Sequence, residues 1–324
     1  MRSHAKLRAF FHTHEFYLLT VIIGIVLLLA IFTQGRFIAP QNIADLLVSY
    51  SMAGVVAAGL LVVIISGGID ISFMAVASVS QYVLALLIDY TPGWPGAFLL
   101  AGAVGLALGL INALLTYAFK IPAIIVTIGT MNVFYGLLMW LSNGTWLYGF
   151  PEWFSTKTAQ STLFLSVGTL AVVVAAVALI LRFTRTGRHI FAIGGNPEAA
   201  RRAGVSLFKT QLFVYGLMGV TAAVGSVLNM YTVQNVAPNS LIGREMDVLA
   251  IVVLGGAALS GGRGTVLGTV LGILLFAMLS NGLVMLGISS YWQDVCTGSV
   301  ILLSFCLTSF RRTTAKEAIV YGKA

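Results

Sequence analysis

Apolar runs of membrane-crossing length alternate with short polar breaks along almost the whole chain. Windows of about 19 residues place ten of them, at 17–33, 46–65, 71–88, 95–119, 122–141, 163–181, 212–230, 246–259, 265–286 and 291–310. A helix of roughly 20 residues crosses the about 30 Å of bilayer hydrocarbon, and only the eighth run falls clearly short of that length. The pattern therefore predicts one all-α polytopic membrane domain over 1–324, with about ten transmembrane helices. A polar stretch, 182–209, separates the sixth run from the seventh. Two segments echo each other, VVIISGGIDIS at 62–72 and GAALSGGRGTV at 256–266. Glycine-interrupted segments at matching places in two halves point to a transport pathway between related repeats.

Composition agrees with the pattern, since 59% of residues are hydrophobic and 9% charged, with a mean hydropathy of +0.99. So few polar side chains cannot coat a soluble globule. Threading the runs from a cytoplasmic N-terminus puts fifteen of the 18 Lys and Arg on the cytoplasmic side, leaving Arg36, Lys157 and Arg244 outside. This is the positive-inside bias, and it places both termini and the 182–209 loop in the cytoplasm. The formal charge of +8 thus records orientation and excludes a nucleic-acid partner. Trp94, Trp146, Trp153 and Trp292 fall at the outer ends of runs, as an interfacial belt would. Cys296 and Cys306 have no metal or redox spacing and read as packing residues, and Asp294 reads as interfacial. Asn143-Gly144-Thr145 fits a glycosylation sequon by accident.

Within the polar loop, GGNPEAARRAG at 194–204 carries the signals of a short helix. Asn196 suits the N-cap, Pro197 the first helical position and Gly204 the stop, while Gly195 precedes the cap. Glu198 in the first turn and Arg201 and Arg202 in the last complement the helix dipole. Ala199, Ala200 and Ala203 leave one face bare. A helix this short needs outside support, either from its own spans as a connector or from a cytoplasmic partner. A partner would supply what the chain lacks, because it holds neither a GxxxxGK[ST] phosphate loop nor the paired intramembrane acids of an ion relay.

Four motifs carry a resemblance: SGGIDIS, IPAIIVTIGTM, RTGRHIFAIGGNPEAARRAGV and DVLAIVVLGGAALSGGRGTVLGTVLG. In this order and spacing, over 32–307, the chain resembles the permease subunits of ribose- and galactose-type ABC sugar importers. The resemblance implies a bacterial inner-membrane protein without cofactor, metal or catalytic residues of its own. It works beside a second permease chain, identical or related, with cytoplasmic ATP-binding subunits and a periplasmic or lipid-anchored sugar-binding protein. It also implies that Gly195 to Gly204 include the coupling helix that docks into the ATPase. Phe73 and Met74 depart from the family pattern, which has small residues there.

Candidate pathway residues are Asp70 and the mid-span amides and hydroxyls Gln81, Asn112, Thr127, Thr130, Asn132, Asn229 and Asn281. Amides can both donate to and accept from sugar hydroxyls without trapping the ligand by charge, or they can join helices within the bundle. Asp70 suits either a cap on the third helix or a charged gate element paired with Arg263. Gly105 and Gly109, and Gly264, Gly268 and Gly272, form small-residue stripes for close helix packing, within one subunit or between two. An ion-coupled secondary transporter and a passive channel are the alternative functions.

Overall fold

The computed structural model describes residues 14–289 together with 291, 292, 295, 298, 299 and 302. Eight helices are long and apolar enough to cross a membrane among these residues. They are α1 (His14–Phe32), α2 (Pro40–Ile65), α3 (Phe73–Leu87, extended by a 3-10 turn to Tyr90), α4 (Gly93–Phe119), α5 (Ala123–Ser142), α7 (Ala159–Phe183), α10 (Leu207–Val233) and α12 (Val266–Met285). Short helices lie between them: α6 (Glu152–Ser155), α8 (Arg185–Gly195), α9 (Pro197–Arg202) and α11 (Glu245–Leu254). Of the expected run at 291–310 only the six residues named above are described, and Cys296, Cys306 and Asp294 lie outside the described residues.

Local chemistry sets the ends of these helices. Pro40 opens α2 at a position whose N–H no helix could use. Thr158 and Ser161 form a capping box at the start of α7. Lys120 and Asn143 end α4 and α5 in the left-handed conformation. The eighth expected span is a half-helix. At 10 residues α11 spans about 15 Å, and Gly255 and the left-handed Gly256 (φ +87°) turn the chain out of it.

α2 is the hub. From Val55 to Ile65 its side chains are almost entirely buried, as expected for a helix apolar on all sides. It packs against α7, α10, α11 and α12, while α10 in turn packs against α3 and α4. The rim helices α1, α4, α5 and α7 expose long apolar side chains such as Ile31, Leu99, Trp140 and Phe164, the surface a bilayer would cover.

Glycines permit the closest helix contact. A Cβ on Gly105 would meet the Gly219 carbonyl, one on Gly219 the Gly105 carbonyl, and one on Gly109 the Tyr215 carbonyl. The α4 stripe is therefore spent within the subunit, against α10. The other stripe is spent likewise: Gly268 and Gly272 meet the backbone of Gly255 and Ile251, and Gly264 meets the side chains of Leu61 and Ile65.

At the end opposite the 182–209 loop, Trp94 packs at 5.6 Å from Trp153, 5.2 Å from Phe154 and 5.0 Å from Tyr231. Two of the four expected belt tryptophans thus belong to a ring cluster holding the connecting segments onto α10. Trp146 and Trp292 are exposed, as a belt requires.

Candidate functional site

Segment 66–72, which leaves the end of α2, enters the bundle without regular structure. Asp70 is 3% exposed and Ser72 fully buried. Buried irregular backbone needs partners, and four of the expected pathway residues supply them or hold their neighbours. Asp70 Oδ1 accepts from the Ser72 N–H and from the Ser72 hydroxyl, both at 2.7 Å. Asn112 Nδ2 of α4 donates to that hydroxyl at 2.7 Å. Thr127 of α5 grips the backbone on both sides of Asp70, accepting from Ile71 N and donating to Ile69 O, each at 3.3 Å. Thr130 donates to Thr127 O one turn away.

Asp70 therefore accepts from Ser72 in the turn that leads into α3, but it sits two residues ahead of the N-cap position itself. Ser72 occupies the N-cap position, with no side-chain cap bond of its own. The alternative of a pairing with Arg263 is not formed, since the carboxylate's hydrogen bonds are both to Ser72. Asp70→Asn keeps an oxygen acceptor for both Ser72 donors, so its stability should lie within about 1 kcal/mol of the parent's. Asp70→Ala should lose about 1–3 kcal/mol from stranded donors. Thermal melting in detergent measures both, and an asparagine variant melting far below the parent would show that the charge itself is needed.

The 66–74 segment touches two cavities, one at Met74 and one at Ser66, Gly67 and Gly68. On the side away from the 182–209 loop lies one of about 640 Å³, lined by Tyr50, Met74, Asn229, Arg244, Asp247 and Ser280 among others. On the loop side lies one of about 770 Å³, lined by Gly67, Gly68, Thr116, Lys120, Gln211 and Tyr215 with Pro197 and Arg201. Thr116 Oγ1 and Gln211 Oε1 have no hydrogen-bond partner.

Of the expected pathway residues, Asn229 lines the first cavity. Gln81 is buried behind it, accepting from Asn229 Nδ2 and donating to Ser240 Oγ, both at 3.3 Å. Asn281 instead exchanges hydrogen bonds with Asn42 at 3.2 Å and joins α12 to α2. Asn132 donates to Ile128 O on the exposed face of α5. Sequence reasoning missed Tyr50, Arg244, Asp247 and Ser280. A signal existed for two of them, because Arg244 is one of three basic residues outside the positive-inside side and Asp247 follows it at the head of a half-length span.

The short helix forms as its residues dictate. Asn196 Oδ1 accepts from Ala199 N at 3.0 Å, and Pro197 takes the first position. Gly204 is left-handed (φ +84°), with Gly204 N donating to Arg201 O and Val205 N to Ala200 O, both at 3.0 Å, the paired bonds of a Schellman stop. Glu198 and Arg201 pair at 3.1 Å in the open, where such a pair contributes little. One expectation needs correcting. Ala200 is 4% exposed and turned into its own chain, while Ala199 and Ala203 are exposed. The helix supporting it, α8, is also new: Thr184 caps it at Gly187 N, and Gly187, Ile190 and Ile193 are buried.

A multi-helix membrane fold with a cavity at each end of a buried irregular segment is an architecture suited to a membrane transport component. The chain belongs to the family described as branched-chain amino acid transport system / permease component, which matches residues 42–305. It is 31% identical over 292 residues to the ribose import permease protein RbsC of Escherichia coli K12, covering 87% of this chain and 91% of that one. To RbsC of Bacillus subtilis 168 it is 34% identical over 295 residues, covering 90% and 89%. To the galactose/methyl galactoside import permease protein MglC of E. coli K12 it is 31% identical over 318 residues, covering 91% and 94%. No solved structure matches the chain.

Proposed function

We propose that this permease passes a monosaccharide or similar polyol into the cytoplasm by alternating access, driven by ATP hydrolysis on separate subunits. The observation that carries the reading is the pair of cavities of mixed lining met at its two ends by one hydrogen-bonded segment, 66–74. Each cavity exceeds the volume of a hexose, and each offers uncharged donors and acceptors. Moving the segment would open one cavity while closing the other. The ribose and galactose import permeases it resembles favour a sugar.

In this reading α9 is the coupling helix, and its exposed residues Glu198, Ala199, Arg201 and Arg202 meet the ATPase. The working unit is a permease pair with two ATPase subunits and a sugar-binding protein, in the bacterial inner membrane. Both termini and the 182–209 loop face the cytoplasm.

Uptake of labelled ribose and galactose into proteoliposomes, with and without the ATPase and binding protein, tests this. Uptake is expected only with both partners and ATP, and a Lys209→Cys probe in the same vesicles should label from the ATPase side alone. Uptake without ATP, down a sugar or ion gradient, would replace the reading with a channel or a secondary transporter.

A further inference from the structure

The two echoing Ser-Gly-Gly segments, nearly 200 residues apart in sequence, touch. The carbonyl of Ile65, the last residue of α2, accepts from Gly262 N at 2.8 Å, so a helix-end acceptor with no partner of its own is satisfied from the far half of the chain. Gly194, in the last turn of α8, lies against both segments. A Cβ there would fall on the Ile65 carbonyl and come within 2.6 Å of Gly262 N. A Cβ on Gly261 would lie 2.7 Å from Gly194 O and 2.8 Å from the Gly67 Cα. Three pieces of backbone meet with no side chain between them.

The position of this junction matters as much as its tightness. Gly194 precedes the first residue of α9 by three, and Gly67 precedes Asp70 by three. Side chains can absorb a small displacement by changing rotamer, whereas backbone in direct contact cannot, so packed contacts of this kind pass on movement. We propose that Gly194, Gly67 and Gly261 form a seam of positioning residues that carries displacement of α9 into the 66–74 segment. The seam makes coupling depend on the absence of side chains at these three places. This inference rests on the reading of α9 as the ATPase-docking helix.

The test uses the full complex with ATPase and binding protein in proteoliposomes. Gly194→Ala inserts a methyl directly into the seam. Gly67→Asn is the gentler variant: asparagine tolerates the left-handed backbone there (φ +83°), yet its side chain must enter beside Gly194, whose Cα would lie 3.5 Å from the new Cβ. Both should lower sugar uptake per ATP hydrolysed by about tenfold or more, within the roughly 5–150-fold range of ordinary allosteric coupling. Gly194→Ala should also melt below the parent, because its Cβ falls on the Ile65 carbonyl, whereas Gly67→Asn should keep the parent's ATP hydrolysis and melting temperature. Gly35→Asn, at an equally left-handed site with nothing within 4 Å, should behave as the parent. If the parent complex shows no ATP-driven uptake, the functional reading fails and the seam with it. If the parent is coupled and both seam variants keep its uptake per ATP, the seam inference alone is wrong. It is equally wrong if Gly67→Asn loses uptake only together with heat resistance, because the seam is then packing only.

Discussion

Leucine at Gly105 should abolish the folded permease. α4 and α10 meet through their backbones, with Gly105 against the Gly219 carbonyl and Gly109 against that of Tyr215. In lipid there is no hydrophobic force to hold helices together, so close packing of this kind is the main attraction between them. Gly105→Ala already needs the two helices to separate, and it should lose about 1–3 kcal/mol, the usual range for overpacking. A leucine side chain has no rotamer that avoids α10, so detergent extraction should yield aggregate in place of a monodisperse peak. Gly102 provides the contrast on the same helix, since a Cβ there meets nothing within 4 Å. Gly102→Leu should give the parent's chromatogram and melting curve. If Gly105→Leu is also monodisperse and heat-resistant, the α4–α10 contact does not hold the subunit together.

Which features were legible beforehand follows from how local their causes are. The spans came from hydropathy alone, and the short helix 197–202 came from Asn196, Pro197 and Gly204, whose roles are settled by bonds between residues no more than five apart. Asp70 was legible as a cap because its partner, Ser72, is two residues away. The rest depends on approaches between distant segments. Nothing in the composition of the α4 stripe says that its partner is Gly219 and not a second chain. Thr127 reads as one mid-span hydroxyl among several, although it brackets Asp70 from another helix. Asn281 and Asn132 look like Asn229 in sequence, but Asn229 lines the cavity of about 640 Å³ while Asn281 bonds Asn42 and Asn132 bonds its own helix. α8 was missed because RTGRHIFAIGG lacks the long apolar run that identified the spans, and its buried face, Gly187, Ile190 and Ile193, shows only once α7 and α2 are in place.

The same distinction between local and distant causes separates two alanines of the short helix. Ala200 and Ala203 are three residues apart in a sequence that offers no reason to treat them differently, yet Ala200 is buried in its own chain and Ala203 is exposed. Tryptophan at Ala200 should therefore destabilise the subunit, by displacing whatever covers a residue only 4% exposed. Tryptophan at Ala203 has open space and should insert, fold and melt like the parent. If α9 enters a groove on the ATPase, however, the indole has to occupy that groove too. Clashes at the centre of an interface commonly cost 2 kcal/mol or more, so ATPase retention on the purified Ala203→Trp permease should fall by roughly thirtyfold or more, and ATP-driven uptake should fall with it. Co-purification from mild detergent and uptake in proteoliposomes measure the two effects separately. An Ala203→Trp protein that keeps its ATPase and transports at the parent rate would remove α9 from the docking surface, and the partner would then have to be sought on another exposed part of the 182–209 loop.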